Sequence, residues 1–323
     1  MNDYSDLRRQ YHKTGSSDYL RLADLLPALR EFESTNPRDK LYALIPTSID
    51  GGDLLDVDYS SSIEDVYINA ACSILKHDGN LNFLAHCTDR PERPTLELPT
   101  WVPDWTAKNA PDHLYKRTRS GLLYSASGKL SGGFQIDRDQ RTLHCEGAVF
   151  DVVEQVSELS GDSFHGPEVI KTWTAWLSSV GFATPTSASR YTLTAEEILL
   201  RTLVADSERT GVDFGERIGT GKLDKGRITE AVVQEGYRSF RGPHPAFLHR
   251  KLILTRKGYL GLAAKHVQRG DVVTILKGGN VPIILREKKD RYHLIGEAYI
   301  HGIMDGEAVG DVEAKGLHSF SII

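Results

Sequence analysis

The sequence predicts an α+β protein in which a helical and irregular N-terminal part packs on a small, antiparallel, β-barrel-like module at the C-terminus. Three observations predict it. Apolar residues recur at helical spacing through the first two thirds, short β-rich runs follow Pro243, and no helical pattern interrupts those runs. Five or six antiparallel strands of that kind curl into a barrel because closure removes exposed edges. The change of character divides the chain into a mixed region over 1–242, with a Trp- and Pro-rich loop, and a β-barrel-like module over 243–323.

From Asp18 to Glu33, Leu20, Leu22, Leu25, Leu26, Leu29 and Phe32 share one helical face. A second helix starts at Ser60-Ser61-Ser62, carries Glu64 and Asp65 where the dipole favours acids, and stops near Asp78-Gly79. The stretch from Pro91 to Pro111 is rich in proline, which removes amide donors and resists helix, so it reads as an ordered loop on a core. Thr142 to Val156 is β-branched and alternating, giving one long strand or two short ones. Helices are expected over Glu168–Val180, Thr194–Ala205 and Ile228–Tyr237, with Asp206 to Arg227 as a mobile loop rich in Gly, Asp, Arg and Lys. Strands follow at Lys251–Thr255, Tyr259–Leu262, Val272–Lys277, Pro282–Arg286, Tyr292–Tyr299 and Leu317–Ile322, separated by turn residues such as Arg256-Lys257-Gly258 and Gly278-Gly279-Asn280.

A chain of 323 residues suggests two structural units, at about 150 residues each. With 40% hydrophobic and 26% charged residues the composition is globular, which excludes a largely disordered chain. Basic residues are scattered among acidic ones at a net charge of −5, so the basic stripe that a nucleic-acid partner requires is missing. Cys72, Cys87 and Cys145 are far apart and form no C-x-x-C, which reads as buried thiols in a reducing compartment. The polar N-terminus has no apolar h-region behind it and no stretch reaches the length of a membrane span, so the expected location is the cytoplasm.

Two local patterns imitate known chemistry and fail its geometry. In Gly219-Thr220-Gly221-Lys222 the spacing from Gly215 is one residue too long for a phosphate loop, and Leu223 stands where a magnesium-binding hydroxyl is needed. His244 and His249 are five apart across Pro245, which does not align two imidazoles on a helix face, and no third ligand lies close, so no metal site is expected. No nucleophile elbow, H-E-x-x-H or G-x-G-x-x-G is present, leaving covalent, metal and dinucleotide chemistry without support.

Two runs are dense in functional side chains. Trp101-Val102-Pro103-Asp104-Trp105 could wall a ligand with two indoles beside a carboxylate; alternatively both indoles plug a core and Asp104 accepts from backbone amides. In the run Gly296 to Glu307, Glu297, Tyr299 and His301 alternate and therefore share a strand face, with Asp305 and Glu307 in the turn beyond. Carboxylate, phenol and imidazole on one face make either an acid–base set or a buried network that pins the barrel.

Several segments together resemble the region downstream of the HET (heterokaryon incompatibility) domain in filamentous-fungal proteins. They include Asn36-Pro37-Arg38-Asp39-Lys40-Leu41-Tyr42-Ala43-Leu44, Leu98-Pro99-Thr100-Trp101-Val102-Pro103-Asp104-Trp105, Tyr124-Ser125-Ala126-Ser127-Gly128, Gly258-Tyr259-Leu260-Gly261-Leu262, Val281-Pro282-Ile283-Ile284-Leu285-Arg286 and the Gly296–Glu307 run, in family order. The Trp-Ile-Asp and Ile-Asn-Gln signature of the HET domain itself has no counterpart here, so the resemblance implies an accessory module standing alone.

The resemblance implies one of two functions. The first is a cofactor-independent cyclase of fungal secondary metabolism, a pericyclase such as a Diels–Alderase acting on a small apolar organic substrate, terpenoid or polyketide. Such a catalyst holds diene and dienophile in a near-attack fold and donates a hydrogen bond to a carbonyl, needing neither metal nor nucleophile. His301, Tyr299, Arg286 and Tyr124 are the expected donors, while Trp101, Asp104, Trp105, Glu297 and Asp305 would contact the substrate. The second is a non-catalytic regulatory module that binds a protein partner or senses a ligand.

Overall fold

The computed structural model describes residues 21–30, 32–87, 96–107, 113–114, 117–118, 121–139, 141–158, 168–182, 193–209, 215–218, 224–226, 228–229, 242–243 and 246–323. Five helices longer than one turn lie among them: α1 (Leu22–Ala28), α2 (Ile63–Asp78), α3 (Glu168–Ser179), α4 (Ala195–Leu203) and α5 (Val309–Lys315). The first is shorter than the apolar pattern from Asp18 to Glu33, of which 18–20 and 31 lie outside the described residues. Pro27 removes an amide donor in its last turn, and the chain leaves helical geometry at Leu29.

Helix α2 is bounded as its sequence demands. The Ser62 hydroxyl accepts from the Asp65 amide at the start, and Gly79 takes the left-handed conformation at the end. Its inward face of Val66, Tyr67, Ala70, Ala71, Ile74 and Leu75 is buried. In α4, Thr194 and Glu197 form a capping box in which each side chain accepts from the other's amide.

Eight strands build the main sheet: β1 (Phe134–Asp137), β2 (Thr142–Val156), β3 (Arg250–Thr255), β4 (Leu260–Ala264), β5 (Val272–Leu276), β6 (Ile283–Lys288), β7 (Arg291–Ile300) and β8 (His318–Ile322). The pairings run β2–β5–β6–β7–β4–β3 and return to β2, so six antiparallel strands close a ring. The long strands β2 and β7 each serve two neighbours along one edge. On β2, residues 143–147 pair with β8 and residues 153–156 with β3; on β7, Tyr292 meets Ile322 of β8 in parallel while 298–300 pair with β4. Thus β8 and the β3–β4 hairpin share the gap between β2 and β7, one at each end. The closed antiparallel module expected from the sequence is present, and its longest strand comes from the chain ahead of residue 243.

Register shifts interrupt the pairing at 273/274, 284/285 and 153/155, the bulges that let short strands coil into a closed wall. They also sort the side chains. One face carries Ala148, Phe150, Ile253, Ala263, Val273, Ile275, Ile284, Ala298 and Ile300, which form a separate apolar cluster. The other carries Leu252, Leu262, Leu285 and Tyr299 and merges with the helical core. A barrel of six strands is too narrow to enclose a helix, so the face that merges with the helical core is the outer one and the first cluster fills the interior. That interior is tight: a Cβ on Gly261 would meet Ile300 Cδ1 and the Tyr299 carbonyl, each at 2.5 Å.

Two local expectations change. The stretch from Asp206 to Arg227 is not wholly loop: Ser207–Arg209 pairs with Gly215–Arg217 and with Gly242–Pro243 in a small separate sheet. Alternation there is too short to register as a strand pattern. Helix α5, which packs on β2, was not expected at all; its sequence, Val-Gly-Asp-Val-Glu-Ala-Lys, has too little apolar periodicity. Of the helix expected over 228–237, residues 228–229 are helical and 230–237 lie outside the described residues.

Candidate functional site

The densest polar constellation forms where the end of α4 meets the end of β7. Helix α4 finishes in a Schellman turn: the Asp206 amide donates to the Arg201 carbonyl at 2.6 Å and the Ala205 amide to Thr202 at 2.9 Å. Such a turn wants glycine in the left-handed position, yet Ala205 (φ 49°) and Asp206 (φ 48°) both adopt that conformation. Left-handed backbone costs an L-residue about 1–2 kcal/mol, so the surrounding contacts must hold it in place.

Those contacts are charged. Asp206 takes Arg201 Nη1 on one oxygen at 2.5 Å and Arg217 Nη2 on the other at 2.9 Å. Arg217 Nη1 reaches on to Asp305 in the turn beyond β7, also at 2.9 Å. The same guanidinium lies over the Tyr124 ring, 5.0 Å from its centre, while the Tyr124 hydroxyl donates to the Ala205 carbonyl. Behind Tyr124 stands Tyr299, ring centres 6.1 Å apart, and the Tyr299 hydroxyl shares a hydrogen bond with His301 Nδ1 at 3.1 Å.

Burial dominates the titration of this group. It pushes the Tyr299 phenol well up, reinforced by Asp206, and the Tyr124 phenol up although Arg217 pulls the other way. It lowers His301 to about 4, a shift that Asp206 opposes and Arg201 and Arg217 assist. Arg217 is held more firmly protonated than usual: burial works against its charge, and the carboxylates of Asp206 and Asp305 outweigh it. At neutral pH the set is therefore two phenols, a neutral imidazole and a chain of alternating charges.

The structure gathers Tyr124, Tyr299, His301 and Asp305 into this constellation. Glu297 precedes Tyr299 on β7 and binds Arg250 Nη2 at 2.6 Å, while the same oxygen accepts the Leu114 amide. Arg286 sits elsewhere. It clasps Asp271 with two nitrogens, at 2.7 and 2.9 Å, and donates to the His266 carbonyl, tying the β4–β5 turn to β6. Trp101 and Trp105 also lie apart, 0% and 1% exposed within the helical core. Trp101 Nε1 donates to the Arg141 carbonyl, Trp105 packs edge-on to Tyr67, and Asp104 accepts from the Thr106 amide and hydroxyl. The core-plug alternative describes these three residues.

Sequence reasoning missed Arg201, Asp206, Arg217 and Arg250. One signal was available: Arg201 interrupts the apolar run Ile198-Leu199-Leu200, with Thr202 and Leu203 following, and all are buried. An arginine on such a face requires a buried carboxylate. Arg217 lay in a segment read as loop, where nothing in the sequence marks its destination.

Among the described residues no three His, Cys, Asp or Glu side chains converge to hold a metal ion. Cys72, Cys87 and Cys145 are buried free thiols. No described helix is long and apolar enough to cross a membrane.

Residues 221–318 match the family model described as the Het-6 beta-barrel domain. A relative described as heterokaryon incompatibility protein 6, OR allele, from Neurospora crassa, is 24% identical over 353 residues, an alignment that covers 87% of this chain and 50% of the relative. The chain thus spans about half the length of the curated relative it matches. No solved structure matches. The two matches support a relationship to heterokaryon incompatibility proteins and a fungal origin; neither carries a link to terpenoid chemistry.

Proposed function

We propose that this chain is a non-catalytic recognition module of the heterokaryon-incompatibility type, acting through contact with a protein partner. The observation that carries this reading is how the polar residues are spent. Arg286 is clasped by Asp271, Glu297 is neutralised by Arg250 in full burial, and Tyr299 is sealed behind Tyr124. A general acid, a base or a carbonyl-binding donor has to reach a reacting atom, and these groups reach one another. They hold a barrel and its helical cover in one fixed relation, which suits a surface that is read by a partner. The Neurospora relative is named for heterokaryon incompatibility, which supports the same function for this chain.

The test is genetic and biochemical together. The chain is expressed in one of two fungal strains that otherwise fuse into a viable heterokaryon. Inhibited growth or death of the fused cells is the expected result. Normal heterokaryons, formed while the protein accumulates to detectable levels, would overturn the proposal. A cyclised terpenoid appearing in extracts only when the chain is expressed would instead favour a cycloaddition catalyst.

A further inference from the structure

Residues 32–59 leave apolar side chains in water, and the fold holds them there. Phe32, Ile49, Val57 and Tyr59 are each 50–57% exposed, the four most exposed large hydrophobics among the described residues. Single exposed hydrophobics are ordinary; several on one braced face are a contact surface. Two adjacent residues provide the brace. Lys40 Nζ donates to the Phe32 carbonyl, and Asp39 accepts the Tyr59 hydroxyl at 2.6 Å. The Tyr42 ring stands edge-on to Tyr59, 5.1 Å between centres, and its hydroxyl donates to the Asp58 carbonyl and accepts the Asp58 amide. Leu55 enters this segment in extended geometry (φ −140°, ψ 134°), and along it Val57 and Tyr59 alternate with Asp56 and Asp58.

The charge around these side chains has one sign. From Leu41 to Leu75 the chain contains Asp50, Asp53, Asp56, Asp58, Glu64 and Asp65 and no lysine, arginine or histidine. Asp50 and Asp65 each meet an arginine from elsewhere, Arg21 at 3.5 Å and Arg141 at 3.7 Å. Asp53, Asp56, Asp58 and Glu64 form no ion pair among the described residues. Hydrogen bonds from Ser60 and Ser61 hold the Asp58 carboxyl down at about 2, so it is charged throughout the physiological range. A second copy meeting this face symmetrically would set the carboxylates against themselves, and anionic lipid or nucleic acid would be repelled. The complement is an apolar stripe flanked by basic residues, which an amphipathic helix presents in one element.

We propose that this face is a docking surface for a basic amphipathic helix of a partner protein. Its apolar stripe covers Phe32, Val57 and Tyr59, and its lysines or arginines meet Asp53, Asp56 and Asp58. The inference rests on the protein-recognition function proposed above and names the chemistry of the partner.

The test uses the full chain and a fluorescent peptide of about 18 residues, long enough to form a helix, with leucines along one face and lysines flanking them. A twin peptide carries glutamates in place of the lysines. By anisotropy, wild type should bind the lysine peptide and not its twin, and more weakly as salt rises. F32S/V57S and D53N/D56N should each weaken binding about tenfold, and the second should also flatten the salt dependence. L317S, which removes an exposed apolar side chain ahead of β8, should change nothing. No binding of the lysine peptide by wild type, or equal binding by wild type and both double variants, would overturn the surface. So would self-association of wild type, or its binding to phosphatidylserine vesicles, if the same variants abolish it: the occupant would then be a second copy or a membrane. A positive heterokaryon assay with peptide binding insensitive to the variants removes this surface alone. Variant-sensitive binding with a negative heterokaryon assay upholds the surface and overturns the recognition function.

Discussion

Arg250 and Glu297 form an ion pair at 2.6 Å with side chains 1% and 0% exposed, joining the first residue of β3 to the middle of β7. Each also anchors the cover of the barrel: Arg250 Nη1 donates to the Ala246 carbonyl, and Glu297 accepts from the Leu114 amide. Neither charge would be tolerated there alone. Together they fasten segments far apart in sequence to one point on the outer wall.

Breaking that pair from one side should therefore be severe. E297A or R250A leaves an uncompensated charge and is expected to cost about 3–5 kcal/mol. The double change R250M/E297L should recover part of the loss, since it removes both charges but still orphans the Leu114 amide. Urea unfolding of the three variants measures this; single variants no weaker than the double would refute it.

Ala205 holds a left-handed conformation at the place where a Schellman turn favours glycine. A205G should stabilise the fold by up to about 1 kcal/mol, because relief of Cβ strain exceeds the added chain entropy and the lost methyl burial. A205V should destabilise by at least as much. Thermal melting resolves the order, and a glycine variant that melts below wild type would show that the turn is held without strain.

What the sequence showed and hid follows from the range of the interactions. Helix α2 was legible because Ser62, the apolar stripe and Gly79 lie within one contiguous stretch. The six C-terminal strands were legible for the same reason, each bounded by its own turn residues. The shared face of Glu297, Tyr299 and His301 also followed from strand alternation, and the Tyr299–His301 bond realises it. The partners did not follow. Arg217 meets Asp305 across 88 positions and Glu297 meets Arg250 across 47, and nothing local in either sequence neighbourhood encodes those meetings. The two tryptophans were visible but ambiguous, because a core indole and a ligand-facing one look alike until their burial is known.

Trp105 distinguishes those two roles by experiment. Its ring packs edge-on to Tyr67 at 4.8 Å and lies near Phe83, within the core that α2 closes. W105A should cost about 3–5 kcal/mol, the usual penalty for emptying a large aromatic site, and W105F clearly less. Chemical denaturation reads the difference. An alanine variant as stable as wild type would place the indole at a ligand surface instead.

His301 gives the fold a pH dependence whose sign is fixed by burial. Its ordinary value is 6.5 and in the folded chain it falls to about 4, so between those values the unfolded chain binds a proton that the native chain refuses. Stability from this residue is complete above pH 6.5 and is lost as pH falls toward 4. His86, buried and lowered by its surroundings, adds a slope of the same sign, as do carboxylates that must be protonated at low pH. The informative quantity is therefore the difference between wild type and H301N, measured as unfolding free energy across that window. Asparagine can still share a hydrogen bond with the Tyr299 hydroxyl but cannot titrate. The wild-type curve should fall on the order of 2 kcal/mol further than the variant's between neutral pH and pH 4. Parallel curves would mean that His301 accepts its proton as readily folded as unfolded, and that the wall of Tyr124, Tyr299 and Arg217 around it admits water.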